Sequence, residues 1–409
     1  MHIAFLCDDT TKYSDANLAI CRNLAKEFCA RGYQVSFLGN CENSTDLLKE
    51  CIDDIPYYRF YYPINRVTHQ ILNEYNKSKS VWPLIVGLLR HPVTVCVGAV
   101  RAFSGYNPID RQYVKLLKVV HRRTPVDIAI ASSGSFYTIH ALAKCKIGCI
   151  RIGYMMDPYW KNHTTGGRHA KKEELFAWKR LDRMVIPNLL APDYDDPAFV
   201  PYRHKAVTAE FPGIVEYPMA ENPVSFEKDK VNLLFAGNFY ENIRSPEYLL
   251  ELMDAMPRHV CLNILGGVYG SFSPEISSHM SSLIAAGQLK MLGSVSADQA
   301  RSVMRHADFL VNIGNSVGNQ LPSKIFEYFS TGKPVIHIQK IPACPCLPYM
   351  QRYQNALILS ESVPASENAV KMAAFCAAKA KTLPFAVVRS RFETCTIPYV
   401  ADEVLRDYV

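Results

Sequence analysis

The chain has 409 residues, of which 49% are hydrophobic and 20% are charged. A chain of this length predicts two domains, and its ordinary composition gives no sign of disorder or low complexity. The formal net charge of +7 suits acidic small molecules or an anionic membrane face, and the lack of a basic run or an aromatic–basic motif argues against nucleic acid as a partner.

The first half of the chain predicts a parallel sheet with helices on its faces. An apolar run at residues 2–7 leads into the polar loop DDTTKYSDAN, and apolar residues then recur at helical spacing from Leu18 to Phe28. Further buried strands are predicted at residues 34–39, 126–132, 146–155 and 183–187. The strand–helix–strand order is typical of a doubly wound α/β domain.

One apolar stretch bears on a membrane span. Residues 81–103, VWPLIVGLLRHPVTVCVGAVRAF, are strongly apolar, but Arg90-His91-Pro92 interrupts them. A span needs ~20 apolar residues with few charges. We therefore expect a buried helical hairpin, with a surface that dips into the bilayer as the second interpretation.

The α/β pattern restarts after a proline-containing stretch at residues 215–230. Strands are predicted at residues 231–238, 260–267, 288–295, 308–314 and 333–338, and helices at 245–256, 276–287, 297–307 and 321–332. The predicted fold is therefore α/β, with two Rossmann-like doubly wound domains facing across a cleft. We expect domains at 1–218 and 231–385, a linker at 219–230, and a C-terminal helix at 386–409 that packs back on the first domain.

The cysteines and the N-terminus indicate the compartment. The 13 cysteines are odd in number, and several, such as Cys7 and Cys261, lie in apolar runs typical of buried, reduced thiols. Cys344 and Cys346 have no partner pair in the sequence, so no zinc site is expected. MHIAFLCDDT does not have the pattern of a signal peptide. We therefore expect a cytoplasmic protein.

In doubly wound folds, ligands bind at the carboxyl ends of the strands, so the loops there are the candidate sites. The first loop lacks G-x-G-x-x-G, which argues against a dinucleotide oxidoreductase, and no P-loop pattern occurs. After the strand at 231–238, Gly237 permits a tight turn, Asn238 offers an amide and Arg244 precedes a predicted helix. An arginine there can bind two phosphate oxygens. A solvated surface arginine is the alternative.

The segment LPSKIFEYFSTGKPVI at residues 321–336 carries the most specific pattern. Ser323 and Lys324 stand at the predicted start of a helix, where backbone N–H groups favour anions. Glu327 follows on the same helix face and can accept the hydroxyls of a cis-diol one turn from a phosphate. A simple ion pair between Lys324 and Glu327 is the alternative.

The order AGN, IRSPEYLLEL, ILGG, MLGSVS, RHADFLVNIGN and LPSKIFEYFSTGKPVI resembles the C-terminal domain of GT-B glycosyltransferases. It is most similar to the large retaining nucleotide-sugar family that builds bacterial capsular, exopolysaccharide and lipopolysaccharide chains. The opening HIAFLCDD and the helix ending KEFCARGYQVSFL also resemble that family. The resemblance covers most of the chain and is most specific in the PSKIFEY…GKPVI run.

The resemblance implies which residues hold the nucleoside and the donor sugar. Glu327 matches the acid that binds the nucleotide ribose. Eight positions earlier, Asn319 stands where the family has an acid that contacts the donor sugar. An amide there still forms hydrogen bonds but leaves the donor sugar open. The backbone around Gly266 and Leu292 is expected to border the base.

The resemblance also implies a diphosphate site. Arg244 and Lys324 are assigned to the diphosphate, with Ser323 in support. Gly237 matches the family's glycine after the first strand of this domain, and Asn238 replaces the arginine that usually follows it.

The first domain is expected to hold the acceptor. Tyr13 and Ser14 lie in the loop that approaches the donor phosphate in the family. Ser133 stands where members often have a histidine, and Asp157, in IGYMMDPYW, resembles an acid that faces the cleft. We take Ser133 and Asp157 as the candidate catalytic residues. A turn-forming role before Pro158 is the alternative for Asp157.

The implied activity is transfer of a sugar, with retention, from a nucleotide-diphosphate donor, expected to be a UDP-sugar, to a saccharide acceptor on a lipid carrier. No metal or cofactor is expected, because basic side chains can stabilise the leaving diphosphate. Peripheral contact with the inner membrane face is also expected. A nucleotide-sugar epimerase and a catalytically inactive GT-B scaffold subunit are the alternatives, and Asn319, in place of an acid, keeps the inactive subunit open.

Overall fold

A computed structural model describes the chain except residues 9, 11–15, 42, 44–45, 63–66, 68–69, 72–73, 75–79, 98–107, 135, 163–168, 219–220, 242, 270–272 and 379–380. The chain divides into two units: unit 1 comprises Met1–Glu210 with Val400–Val409, and unit 2 comprises Phe211–Tyr399. The boundary lies before the linker expected from the sequence. The reason is that Phe211 stacks on Phe326, with ring centroids 5.2 Å apart, and the Val215 N–H donates to Ser330 Oγ.

Unit 1 is built on an eight-stranded sheet. Its strands are β1 (His2–Leu6), β2 (Gln34–Cys41), β3 (Lys49–Ile52), β4 (Ile55–Tyr61), β5 (Ile128–Ser132), β6 (Ile150–Tyr154), β7 (Arg183–Pro187) and β8 (Ala206–Ala209). The order across the sheet is β3-β4-β2-β1-β5-β6-β7-β8. Every pair is parallel except β3–β4. The order reverses between β1 and β5, which is the switch point of a doubly wound sheet.

The helices of unit 1 are α1 (Ala16–Ala30), α2 (Trp82–Arg90), α3 (Ile109–Arg123), α4 (Tyr137–Lys144) and α5 (Ala170–Arg180). α1, α3 and α4 pack on the strands of this sheet. β1 and β5 are buried at every residue, as expected for strands of a parallel sheet covered on both sides. Trp178 and Tyr113, both fully buried, belong to one of its core clusters.

Unit 2 is built on a six-stranded parallel sheet. Its strands are β9 (Val231–Ala236), β11 (Val260–Leu265), β13 (Leu289–Gly293), β14 (Phe309–Ile313), β15 (Val335–Gln339) and β16 (Ala356–Ser360). The order is β13-β11-β9-β14-β15-β16, so the switch point lies between β9 and β14. A short parallel pair, β10 (Phe239–Tyr240) and β12 (Val268–Tyr269), extends from its carboxyl edge.

Both faces of this second sheet are covered. Leu233 and Phe235 belong to one buried cluster, and Leu234 and Ala236 to another, as the alternation of a strand requires. The helices are α6 (Glu247–Asp254), α7 (Pro274–Ala285), α8 (Ala297–His306), α9 (Lys324–Ser330), α10 (Leu347–Tyr353), α11 (Ala365–Ala377), α12 (Phe385–Arg391) and α13 (Ile397–Leu405), whose last residues belong to unit 1. The predicted doubly wound α/β fold is confirmed.

The apolar stretch around α2 is not buried as predicted. Trp82 is 67% exposed, Leu89 is 77% exposed and Val93 is 69% exposed. Helix periodicity did not reveal this, because the stretch is apolar on every side and therefore has no polar face to mark solvent. Among the described residues, no helix combines the length and the apolar character that crossing a membrane requires.

Candidate functional site

Backbone hydrogen bonds join three loops at the carboxyl edge of the unit 2 sheet. The Gly237 N–H donates to Leu265 O, and the Gly266 N–H donates to Gly293 O. Gly266 has a φ of +141°, and a Cβ atom there would lie 2.0 Å from Gly237 O. Because no other residue tolerates that approach, the loops after β9 and β11 meet closely only with glycine at this position.

Asn238 holds the same two loops together. Its Oδ1 accepts a hydrogen bond of 2.9 Å from the Gly267 N–H. The amide predicted to contact the donor therefore shapes the turn that surrounds the site. Leu292, predicted to border the base, is half-buried and follows on β13, next to these loops.

Arg244 lies at the switch point of the sheet. Its Nε and Nη2 both donate to Asn315 Oδ1, at 3.2 and 2.8 Å. A Cβ atom on Gly237 would lie 3.9 Å from Arg244 Nη1, so the guanidinium lies close to the glycine that follows β9. Burial lowers the pKa of Arg244 from its ordinary value, and the neighbouring Cys346 and Tyr328 groups oppose that shift. Arg244 is half-buried, and a partly desolvated charge attracts an anion more strongly than a fully solvated one.

The loop after β14 is fixed around the same arginine. Asn315 is buried, and its Nδ2 donates to Gln320 O at 2.9 Å. The Ser316 N–H donates to Ile243 O at 2.9 Å. Asn319 lies in this loop and is half-buried. The loops after β9 and β14 therefore form one hydrogen-bonded unit.

Tyr328 on α9 is hydrogen-bonded to the carboxyl end of β9. Its hydroxyl accepts from the Ala236 N–H at 2.8 Å and donates to Ala236 O at 3.1 Å. Burial raises the pKa of Tyr328 well above its ordinary value, so the hydroxyl keeps its proton. The last residue of β9, which precedes Gly237, is thereby fixed to the helix that carries Glu327.

Glu327 lies among cationic side chains. Lys324 Nζ lies 3.0 Å from both of its carboxylate oxygens, and Arg301 Nε lies 3.6 Å from Oε2. The Arg301 guanidinium also lies over the Tyr217 ring, 3.9 Å from its centroid. Burial and the Glu327 charge raise the pKa of Tyr217 to about 12. The structure thus contains the simple ion pair, and places a second cation beside it.

The start of α9 differs from the predicted anion site. The helix has seven residues, and the Ser323 side chain makes no capping hydrogen bond. The Ile325 and Phe326 N–H groups already donate to Pro322 O and Ser323 O. Lys324 is therefore the group of this segment with the clearest capacity to bind a phosphate.

Two candidate residues of unit 1, Ser133 and Asp157, follow the neighbouring strands β5 and β6. Ser133 Oγ accepts from the Met156 N–H at 2.7 Å, which joins the loops after β5 and β6 and places Asp157, half-buried, beside them. A Cβ atom on Gly134 would lie 2.9 Å from Asp8 Oδ2. Tyr13 and Ser14 lie outside the described residues.

The sequence did not single out Asn315, Arg301, Tyr328 or Asp8. Asn315 follows Gly314 at the end of β14, a position that the strand-end rule already marks. Arg301 and Tyr328 contact residues of other helices or strands, so no local sequence pattern indicates them.

The comparisons with known proteins agree with this architecture. No family model matches the sequence, and no curated protein matches it. The structure is similar to sucrose-phosphate synthase from Thermosynechococcus elongatus, with a TM-score of 0.63 and 12% identity over 98% of this chain and 96% of that one. It is also similar to HepE from Anabaena in complex with UDP, with a TM-score of 0.62 and 14% identity over 99% of both chains.

A third similar structure is WaaG, a glycosyltransferase involved in lipopolysaccharide biosynthesis, with a TM-score of 0.55 and 11% identity over 99% of this chain and 100% of that one. The chain has a GT-B fold. In this GT-B fold, unit 2 brings Gly237, Arg244 and Gly266 together at one sheet edge, and ties α9, with Lys324 and Glu327, to the same edge through Tyr328.

Proposed function

We propose that the protein is a glycosyltransferase that binds a nucleotide-diphosphate sugar at the carboxyl edge of the unit 2 sheet. The observation that supports this most is Arg244, a partly desolvated guanidinium held at the switch point by Asn315 and lying close to Gly237. A switch point lined by glycine loops lets a ligand approach the backbone. The guanidinium there can bind two oxygens of a diphosphate.

Glu327 is proposed to bind the ribose of the nucleotide, and Lys324 to contribute to binding the diphosphate. With no ligand, Lys324 Nζ orients the carboxylate through contacts of 3.0 Å to both oxygens. On binding, the carboxylate accepts the ribose hydroxyls, and Lys324 turns its charge toward the diphosphate. Arg301, 3.6 Å from Glu327, keeps the carboxylate compensated after that change.

The proposed donor is a UDP-sugar, transferred with retention. HepE has been solved with UDP and with UDP-glucose, and it shares the fold of this chain. The bond between the sugar C1 and the phosphate oxygen breaks, and a bond from C1 to the acceptor oxygen forms on the same face. The acceptor proton passes to the leaving phosphate, whose charge Arg244 and Lys324 stabilise. No enzymic nucleophile and no metal enter this scheme.

The proposed acceptor is a saccharide on a lipid carrier, reached at a membrane face. The exposed apolar residues of α2, with Arg90 at its end, have the composition of an interfacial helix. A groove of about 550 Å³ beside α3 is lined mainly by cations: Arg111, Lys115, Lys118, Arg122 and Lys144. Such a groove favours anionic lipid head groups.

Incubation with a panel of nucleotide sugars tests the proposal. We expect slow hydrolysis of one donor without acceptor, and transfer with retained anomeric configuration, observed by proton NMR, when acceptor lipid is added. Inversion at C2 of the donor sugar would instead identify an epimerase. Failure to bind any nucleotide sugar would leave the inactive scaffold as the better account.

A further inference from the structure

Unit 2 contains a buried cluster of three side chains that can bind a metal ion. His337 lies on β15, and Cys344 and Cys346 lie in the loop that joins β15 to α10. Their exposed fractions are 0%, 3% and 0%. One ligand atom from each lies within 4.8 Å of the others. The sequence showed no partner for the two cysteines, because the histidine precedes them on a strand rather than in a paired motif.

We propose that His337 Nε2, Cys344 Sγ and Cys346 Sγ bind a Zn²⁺ ion, at a site whose ligands are not among the proposed nucleotide contacts. Zinc prefers thiolate and imidazole ligands at about 2.3 and 2.0 Å, and in tetrahedral geometry a sulfur and a nitrogen ligand are ~3.5 Å apart. The Cys344 Sγ to His337 Nε2 distance is 3.4 Å. The Cys344–His337 pair is therefore at ligand spacing, and Cys346 Sγ lies within 4.8 Å of both atoms.

The charge of the cluster also fits a divalent cation. Two thiolates and one neutral imidazole balance Zn²⁺, so the occupied site carries no net charge, which a buried site requires. A fourth ligand from outside the cluster would complete the tetrahedron. Pro345, between the two cysteines, restricts the loop and so reduces the entropy lost on binding.

Asn312 supplies the support that a metal-bound histidine needs. Its Nδ2 lies 2.8 Å from His337 Nδ1 and 3.8 Å from Cys346 Sγ. Metal binding at Nε2 requires the amide to turn by 180°, so that Oδ1 accepts from Nδ1–H and the Nε2 lone pair is left for the ion. Ligating histidines regularly have such a partner on the other ring nitrogen.

The cluster lies directly behind the loop that holds Arg244. A Cβ atom on Gly314 would lie 3.1 Å from Cys344 Sγ and 3.4 Å from His337 Cε1. Gly314 precedes Asn315, the residue that accepts both hydrogen bonds of Arg244. Zinc there would fix this loop from the inside, so its removal should lower the stability of unit 2 before it affects any chemistry.

The first test uses the unmodified protein. We expect one zinc per chain by plasma mass spectrometry after purification without chelators. After removal of the metal under reducing conditions, Co²⁺ should restore one equivalent, with the intense visible bands of tetrahedral cobalt and near-ultraviolet thiolate-to-cobalt bands. A protein that binds neither ion at micromolar concentration, or a mass showing a Cys344–Cys346 disulfide as isolated, would overturn the proposal.

Variants then assign the ligands. Cys346→Ser and His337→Gln should lose at least tenfold in Co²⁺ affinity, and Cys346→Ser should weaken the thiolate-to-cobalt bands. Cys376→Ser, which changes a buried cysteine elsewhere in unit 2, is the matched control and should bind like the wild type. Equal loss in the control would count against the site. UDP affinity is measured on the same samples. Loss of Co²⁺ binding tests the metal site, whereas the UDP affinity of the wild type tests the proposed function.

Discussion

Arg244 donates two hydrogen bonds, from Nε and Nη2, to the single acceptor Asn315 Oδ1. This contact joins the ends of β9 and β14, the two strands at which the order of the unit 2 sheet reverses. It leaves Nη1 close to Gly237. The geometry therefore orients the cation before any ligand arrives, which lowers the entropy that binding costs.

Arg244→Ala should weaken UDP binding by ~1.5–3 kcal/mol, the range for a hydrogen bond to a charged group. Uridine, which has no diphosphate, should lose much less. Calorimetric titration of both ligands gives the comparison. Arg258→Ala, at the amino edge of the same sheet, is the control and should bind UDP normally. An equal loss for UDP and uridine would contradict a diphosphate role.

Glu327→Ala should weaken UDP and uridine alike, by ~1–3 kcal/mol, because ribose hydroxyls lose their acceptor. The matched control is Glu361→Ala: Glu361 pairs with Lys340 at 2.8 Å and has a 20% exposed side chain, against 24% for Glu327. The control should leave both affinities unchanged. Unchanged uridine affinity in Glu327→Ala would contradict ribose binding by Glu327 and leave only its ion pair with Lys324.

Tyr328→Phe should destabilise the carboxyl end of β9. The change leaves the buried Ala236 N–H without its acceptor, at a cost of ~1–3 kcal/mol in the free energy of unfolding. UDP affinity should fall as well, because Gly237 follows directly. Tyr353→Phe removes one hydrogen bond, to Lys333 O, and should leave UDP binding intact. Calorimetric unfolding and UDP titration of both variants test this.

Glu174 should make the stability of unit 1 depend on pH. Burial raises its pKa from 4.5 to about 7, against the hydrogen bonds from Tyr194 and Trp160. Between those values the folded protein keeps a proton that the unfolded chain has released. The free energy of unfolding therefore falls as pH rises through this window, and levels off above it.

Glu174→Gln should remove this dependence and stabilise unit 1 at neutral pH by roughly 1–3 kcal/mol. All 3 tryptophans of the chain, Trp82, Trp160 and Trp178, lie in unit 1, so tryptophan fluorescence follows its unfolding. Glu173→Gln, at the preceding position of α5, is the control and should keep the wild-type pH profile. A profile that Glu174→Gln does not flatten would show that the carboxyl titrates normally.

Leu89→Glu should weaken binding to vesicles that contain anionic lipid, since a charge at an interfacial apolar position opposes insertion. Leu89 is 77% exposed on α2, and Val370, 70% exposed on unit 2, offers a matched position. Co-sedimentation should show a loss for Leu89→Glu and none for Val370→Glu. Equal binding of both variants would argue against α2 as the membrane contact.

Many strands of the two main sheets were predictable from the sequence, because buried parallel strands are continuous apolar runs. β9, VNLLFA, and β14, FLVNI, are of this kind. β16, ALILS, was missed although it has the same length as β14, and only two residues separate it from α10. β4, IPYYRFY, was missed because it mixes aromatic residues with an arginine whose contacts come from Thr10 and Glu50.

The site was predictable only where its residues lie within one segment. Lys324 and Glu327 are three positions apart on a helix, and their contact follows from that spacing. Arg301 reaches Glu327 from α8, and Asn315 reaches Arg244 across the switch point. Those contacts depend on tertiary packing. Ser133, proposed as catalytic, instead shows its Oγ engaged by a backbone N–H of the next loop.

The most direct test of the central claim is a crystal structure of the protein with UDP bound. The account predicts the diphosphate within hydrogen-bond distance of the Arg244 guanidinium, the ribose hydroxyls on the Glu327 carboxylate, and Asn315 still in contact with Arg244. UDP bound with its diphosphate away from Arg244, or a ribose that makes no contact with Glu327, would contradict it.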